Sequence, residues 1–209
     1  MNSIPSLIAD LVNIPSSERA FNPYDTAFPG ALTRRDNLNR YLVDMLTRRP
    51  THLILFEAPG YRGCALSGIP VTSERVMLRG IEKWGLFGDG YQATSGQADG
   101  VSEMTATILW TTLAELADQP PLIWNTVPIH PHKPAQRQTN RPPTQAEKIL
   151  GLGYLRRLLE LFDIQQIMAA GRTAQAALAG LGIEAVPLRH PAQGGKPEFV
   201  RGMREVYRR

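Results

Sequence analysis

Four short apolar runs, spaced by helical patterns, constrain the fold of this chain more than any other feature. The first is HLILF (His52–Phe56), bounded by Pro50 and by Pro59-Gly60. It is short enough for a strand and continuous enough to be buried on both faces. Three more follow, at residues 122–127 (LIWNTV), 164–169 (IQQIMA) and 183–188 (IEAVPL). Between them lie helical patterns at 102–117, 144–162 and 173–181; in the second, Leu155, Leu158, Leu159 and Phe162 repeat one apolar stripe. Thr144 and Glu147 stand at its start in capping-box positions, where hydroxyl and carboxylate satisfy each other's orphan amides. Strands alternating with helices of this length predict an α/β fold, a parallel sheet covered on both faces.

Ahead of the strands, a short helix is expected near Ile4–Val12, then a loop-like arm broken by Pro15, Pro23 and Pro29. A second helix at 33–48 carries Leu38, Tyr41, Leu42 and Met45 on one face and is stopped by Pro50. Residues 85–100 and 128–143 resist regular assignment, and loops of that length are often functional. With 209 residues, 43% of them apolar, the chain suits a single domain. Residues 1–50 form its N-terminal helical arm and 51–209 its core.

Several classes fall away on composition. Cys64 is the only cysteine, so an internal disulfide is impossible and no thiolate set exists for structural zinc or an iron–sulfur cluster. No stretch of about 18 apolar residues occurs, and the N-terminus lacks the basic start and apolar core of a secretory signal; the expected location is the cytoplasm. The net charge of +4 is carried largely by arginine, as in Arg34-Arg35, Arg48-Arg49, Arg156-Arg157 and the tail. Guanidinium forks match phosphate geometry, although solvated helix faces account for such a charge equally well.

In an open parallel sheet, ligands bind beyond the carboxyl ends of the strands. Those ends here carry Glu57, Asn125, Gly171-Arg172 and His190. A carboxylate can orient water, an amide can read a planar donor and acceptor edge, and an imidazole can stabilise a developing oxyanion. Each residue alone has a plain structural use; their joint placement is what points to chemistry. Competing motifs are weaker. The glycines near Gly88 and Gly90 do not follow a strand, His130 and His132 lack a third metal ligand, and Ser67 and Ser73 lack a nucleophile elbow.

The segment EAPGYRGCALSGIPVTSE, residues 57–74, resembles motif A of the uracil-DNA glycosylase superfamily, closest to its bacterial families 4 and 5. Glu57, Ala58, Pro59 and Gly60 match the G-E-A-P-G of family 4 except at its first position. The longer family 5 pattern aligns without a gap through Ala58, Pro59, Gly60, Gly63, Gly68, Pro70 and Thr72, with Ser67 for Thr and Glu74 for the closing Asp. Trp124-Asn125-Thr126-Val127 resembles the strand-end Asn segment, and Arg189-His190-Pro191-Ala192 resembles motif B. The resemblance implies a three-layer α/β/α sandwich around a central four-stranded parallel sheet. It further implies hydrolysis of the bond joining uracil to deoxyribose, with the base flipped out of uracil-containing DNA.

By this resemblance Asn125 reads the uracil edge, and His190 stabilises charge on the uracil oxygen, neutral or protonated. Glu57 or Glu74 orients the attacking water; Glu57 is favoured because it leaves the strand directly, whereas Glu74 suits a helix N-terminus for dipole reasons alone. Ala58, Pro59, Gly60, Tyr61 and Val71 complete the expected base pocket. Gln193, Gly194, Gly195 and Lys196 form an expected DNA-pinching loop, and Lys133, Arg137 and Arg141 an expected grip on the strand. The chain departs from the family in three ways. It lacks the cluster cysteines, so no metal or organic cofactor is expected. Val71 replaces the phenylalanine that stacks on uracil, leaving Tyr61, Phe87, Tyr91 or an N-terminal aromatic to substitute. Gly60 stands where the best-known family has the tyrosine that excludes thymine. The expected protein is a monomeric DNA glycosylase with no membrane partner. A weakly turning-over binder of uracil or abasic DNA, or a doubly wound nucleotide hydrolase, are the alternatives.

Overall fold

The structure is a computed structural model that describes residues 2–208. Its strands, in chain order, are β1 (Ala20–Phe21), β2 (His52–Phe56), β3 (Leu122–Asn125), β4 (His130–Pro131), β5 (Gln166–Ala170) and β6 (Val186–Leu188). Four of them form a parallel sheet in the order β3-β2-β5-β6, flanked by helices. This is the α/β arrangement expected from the alternating pattern. The central pair, β2 and β5, is buried almost throughout, as continuous apolar runs require. β6 is shorter than the 183–188 run because it is an edge strand, where Pro187 removes one ladder donor and Ile183 bonds back to the Leu178 carbonyl at 3.0 Å instead.

The main helices are α1 (Ile4–Val12), α2 (Ala31–Arg48), α5 (Met104–Leu116), α6 (Gln145–Leu161), α7 (Arg172–Ala179) and α8 (Lys196–Tyr207), with the short α3 (Cys64–Ser67) and α4 (Glu74–Arg79) following β2. The capping box of α6 forms as its sequence requires, between Thr144 and Glu147. Residues 196–207 of the arginine-rich tail are helical: Phe199, Met203 and Val206 recur at i, i+4, i+7 and are buried, leaving Arg201 exposed and Arg204 half-buried.

The N-terminal arm is not a loose attachment. Leu7, Leu11, Leu38, Tyr41, Leu42 and Met45 are fully buried in the same core cluster as the sheet residues Leu53, Ile54 and Leu55. Burying one such side chain is worth about 1.5–3 kcal/mol, so α1 and α2 supply a substantial part of the core. The stretch read as a loop after α1 contains β1, which pairs antiparallel with β4 (Ala20 with Pro131, Phe21 with His130). That pairing ties residues 128–143 to the arm. The register of the main sheet then sets Phe56 level with Asn125, and Ala170 level with Leu188. The chain therefore leaves β2, β3, β5 and β6 along one edge.

Candidate active site

A cleft of about 1030 Å³ opens at that edge. Its walls are the loop after β2 (Phe56 to Gly60), Val71, the start of α5 at Glu103 and Thr105, the segment Asn140 to Pro142, the β5–α7 turn and the loop after β6 from Arg189 to Gln193. Glu57 and His190 both line it, as do Ala58, Pro59, Gly60, Val71, Arg141 and Gln193. Tyr61, Asn125, Lys133, Arg137, Gly194, Gly195 and Lys196 are not among its lining residues.

Glu57 is held from two sides. The β3 exit bonds to the backbone around it: Thr126 donates its N–H to the Phe56 carbonyl at 2.7 Å, and Val127 donates to the Glu57 carbonyl at 3.0 Å. From α7, the Thr173 hydroxyl donates to Glu57 Oε2, which aims the carboxylate and leaves Oε1 open. His190 is positioned by Phe56, whose ring meets the imidazole edge-on with centroids 5.7 Å apart, and by Ala192, whose N–H donates to Nδ1 at 3.1 Å. Burial lowers the pKa of this imidazole; the nearby Glu57 carboxylate pulls it up and Arg189 pushes it down, with a net result below the ordinary value. The ring is neutral near pH 7. Gly195 is essential to this turn, because a Cβ there would stand 2.1 Å from the His190 carbonyl oxygen.

Asn125 ends β3 beside Phe56, only 2% exposed, and its Oδ1 is buried without a hydrogen-bond partner. A native buried acceptor left open calls for an explanation such as a ligand or water. Val71 lines the cleft in a left-handed conformation (φ 47°), which a β-branched residue rarely adopts. Of the aromatics expected to replace the family's stacking ring, Tyr61 is half-buried on the loop after β2, next to the lining residue Gly60, and others are committed elsewhere. Phe87 packs on Tyr41, Trp110 and Tyr91 in the core, and Tyr24 donates its hydroxyl to the Gly68 carbonyl at 2.8 Å. The aromatic hydrocarbon ring that does reach the cleft wall is Phe56.

Three expected site residues have structural work instead. Glu74 is fully buried, and its carboxylate accepts from the amides of Thr94 (2.6 Å), Ser95 (2.9 Å) and Val101 (3.1 Å). It organises the 85–100 loop and lies outside the cleft, so it is not in a position to orient water there. Arg141 lines the cleft, but its guanidinium is engaged bidentately by Glu147 at 2.6 and 2.8 Å and also donates to the Arg19 and His132 carbonyls. Arg137 lies over the Phe28 and Phe21 rings, 4.2 and 5.1 Å from their centroids. Lys133 and Lys196 are exposed, as are Gln193 and Gly194.

The site also contains residues that sequence reasoning did not single out. Thr173 aims Glu57, and Phe56 backs His190. Glu103 contributes a carboxyl to the wall, packed so closely that a Cβ on Gly60 or Gly63 would stand 2.7 or 2.2 Å from its oxygens. His130 anchors the loop after β2, with Nδ1 2.8 Å from the Pro59 carbonyl oxygen. The glycines of the 57–74 segment were the available signal for Glu103, since they mark a close approach without naming the neighbour. Cys64 is buried, and burial pushes its thiol up to about 12, which leaves it unreactive. Among the described residues, no group of three or more His, Cys, Asp or Glu side chains could hold a metal ion, and no helix is long and apolar enough to cross a membrane.

No curated protein matches the chain. A solved structure, the crystal structure of wild-type Pedobacter heparinus SMUG2, shares its fold: the TM-score is 0.66 at 14% identity, covering 98% of this chain and 96% of that one. At the level of sequence, the family described as the uracil DNA glycosylase superfamily matches residues 44–198. That span runs from the end of α2 through both candidate motifs to the start of α8, and the chain belongs to the uracil DNA glycosylase superfamily.

Proposed function

We propose that this protein is a uracil-DNA glycosylase that hydrolyses the N-glycosidic bond of flipped-out deoxyuridine and leaves an abasic site for base excision repair. The observation that carries this reading is that Glu57 and a neutral His190 share one cleft at the carboxyl edge of the sheet. The motif-A residues support a relationship with families 4 and 5 of the superfamily.

In this reading the bond between uracil N1 and C1′ breaks, and its electron pair leaves with the base. His190 presents Nε2–H to the uracil oxygen on which the charge collects; one such donor is worth about 10²–10³ in rate. The Glu57 carboxylate, aimed by Thr173, stabilises the sugar cation and accepts a proton from the water whose oxygen adds to C1′. Asn125 Oδ1 is free to accept the uracil N3–H. Extruding the base costs a few kcal/mol, and the exposed Lys133, Lys196 and the Gln193–Gly194 turn contact the flanking strand. The protein works as a monomer without a cofactor; one cysteine cannot build the four-thiolate cluster of the related families.

The test is incubation of purified protein with a uracil-bearing oligonucleotide followed by alkali. Strand breakage at the uracil is expected. An intact strand with protein in excess removes the enzyme reading, and tight retention of that uracil-bearing DNA in the same experiment would favour the binding protein that Val71, in place of an aromatic, keeps open.

A further inference from the structure

Glu103 is a half-buried residue of the cleft wall, outside the reaction steps given to Glu57 and His190. It stands at the N-cap position of α5 yet makes no capping hydrogen bond, and its Oε2 is buried with no partner. The charged and titratable groups facing it are few. Arg62, from the loop after β2, spends its Nε–H on the Ser102 carbonyl at 3.1 Å, and the Cys64 thiol of α3 lies nearby. Glu57 and His190 occupy the same cleft. No ion pair to Glu103 forms among the described residues.

An unpaired buried acceptor destabilises a fold, and more so when charged. Stability gives no reason to keep a carboxyl there, and two glycines are needed to seat it. Asn125 Oδ1 is a second such orphan, at the end of β3 level with Phe56; Phe56 lines the cleft and Asn125 lies behind that wall. The two unpartnered oxygens, one on a carboxamide and one on a carboxyl that lines the cleft, are chemically complementary toward a planar base. The amide oxygen accepts an N–H, and a carboxyl in its acid form donates to a carbonyl.

Resting on the glycosylase reading, we propose that Glu103 is a specificity residue that donates its carboxyl hydrogen to the C4 carbonyl of the flipped base and so favours keto over amino pyrimidines. Burial supports this, since it outweighs the pull of Arg62 and pushes the carboxyl up to about 7, so the acid form persists near neutrality. Ionised, the same group would repel a uracil carbonyl and accept from a cytosine amino group.

The experiment measures affinity for two oligonucleotides carrying 2′-fluoroarabino sugars, which resist hydrolysis, one with uracil and one with cytosine, at pH 6 and pH 8. For the wild type, the preference for uracil is expected to fall about tenfold between the two pH values. Glu103→Gln, whose amide does not titrate, loses the pH dependence, and Glu103→Ala has a weak preference at both pH values. A wild-type preference that does not change with pH, or Glu103→Ala matching the wild type at pH 6, overturns the proposal. Thermal melting confirms that each variant is folded. Binding is read without turnover, so failure here is separate from failure of the alkali assay on ordinary uracil DNA.

Discussion

Ala192 donates its backbone N–H to Nδ1 of His190 over 3.1 Å, two residues along the same turn. With Nδ1 acting as an acceptor, the proton of a neutral imidazole resides on Nε2. Burial keeps the ring in that neutral state. Replacing His190 with Ala is therefore expected to lower single-turnover uracil excision by about 10²–10³ while DNA affinity is retained. The sign of the pH effect follows from the depressed pKa. As pH falls below about 6.5, the unfolded imidazole takes up a proton that the folded one resists. His190, and likewise buried His130, thus contribute stability above that pH and lose it on acidification, which denaturant melts at pH 7 and pH 5 would register.

Thr173 tests whether Glu57 needs aiming. Thr173→Val removes the hydroxyl that bonds Oε2 while conserving shape, and kcat is expected to fall about tenfold with KM little changed. Thr173→Ser should restore most of the rate. Equal loss in both variants, or a change in KM alone, would show that the hydroxyl does not position the carboxylate.

Glu74 separates the two carboxylates of the 57–74 segment. Burial alone would raise its pKa, but hydrogen bonds from Ser95, Val101 and Thr94 outweigh that and hold the carboxyl below its usual range. Glu74→Ala leaves those amides unpaired and is expected to cost about 2–4 kcal/mol of stability. Excision per folded molecule should be unchanged. Glu57→Gln should do the reverse, sparing stability and abolishing most of the rate. A folded Glu74 variant as inactive as Glu57→Gln would reassign the catalytic carboxylate.

The carboxyl of Glu103 makes a stability prediction independent of its ligand. Its folded pKa of about 7 lies above the unfolded value of roughly 4.3, so the fold prefers the acid form. Stability from this group is fully present below about pH 4.3 and is lost as pH rises toward 7. Glu103→Gln removes the penalty and should raise stability at pH 8 by on the order of 1–3 kcal/mol, with little change at pH 4, as thermal melts at the two pH values would read.

Much of this molecule is local and therefore legible without coordinates. The run at His52–Phe56, the box between Thr144 and Glu147, and the stripe of Leu38, Tyr41, Leu42 and Met45 each depend on neighbours within a turn or a strand. That Glu57, Asn125 and His190 stand at or just past strand ends is legible in the same way, because strand ends in a parallel sheet share one edge. The tasks of side chains were not legible when the partner is remote. Thr173 reaches Glu57 from 116 residues away, and Glu74 closes on amides 20 to 27 residues downstream. Arg141 shows that even a near partner can be missed: Glu147, six residues on, captures a guanidinium that charge alone assigned to DNA. Sequence by itself determined the α/β fold and the strand-end residues, since both follow from short-range periodicity. Only the tertiary structure decided which polar groups are spent and which, like Glu103, are left open, because that depends on which distant segments the packed core brings into contact.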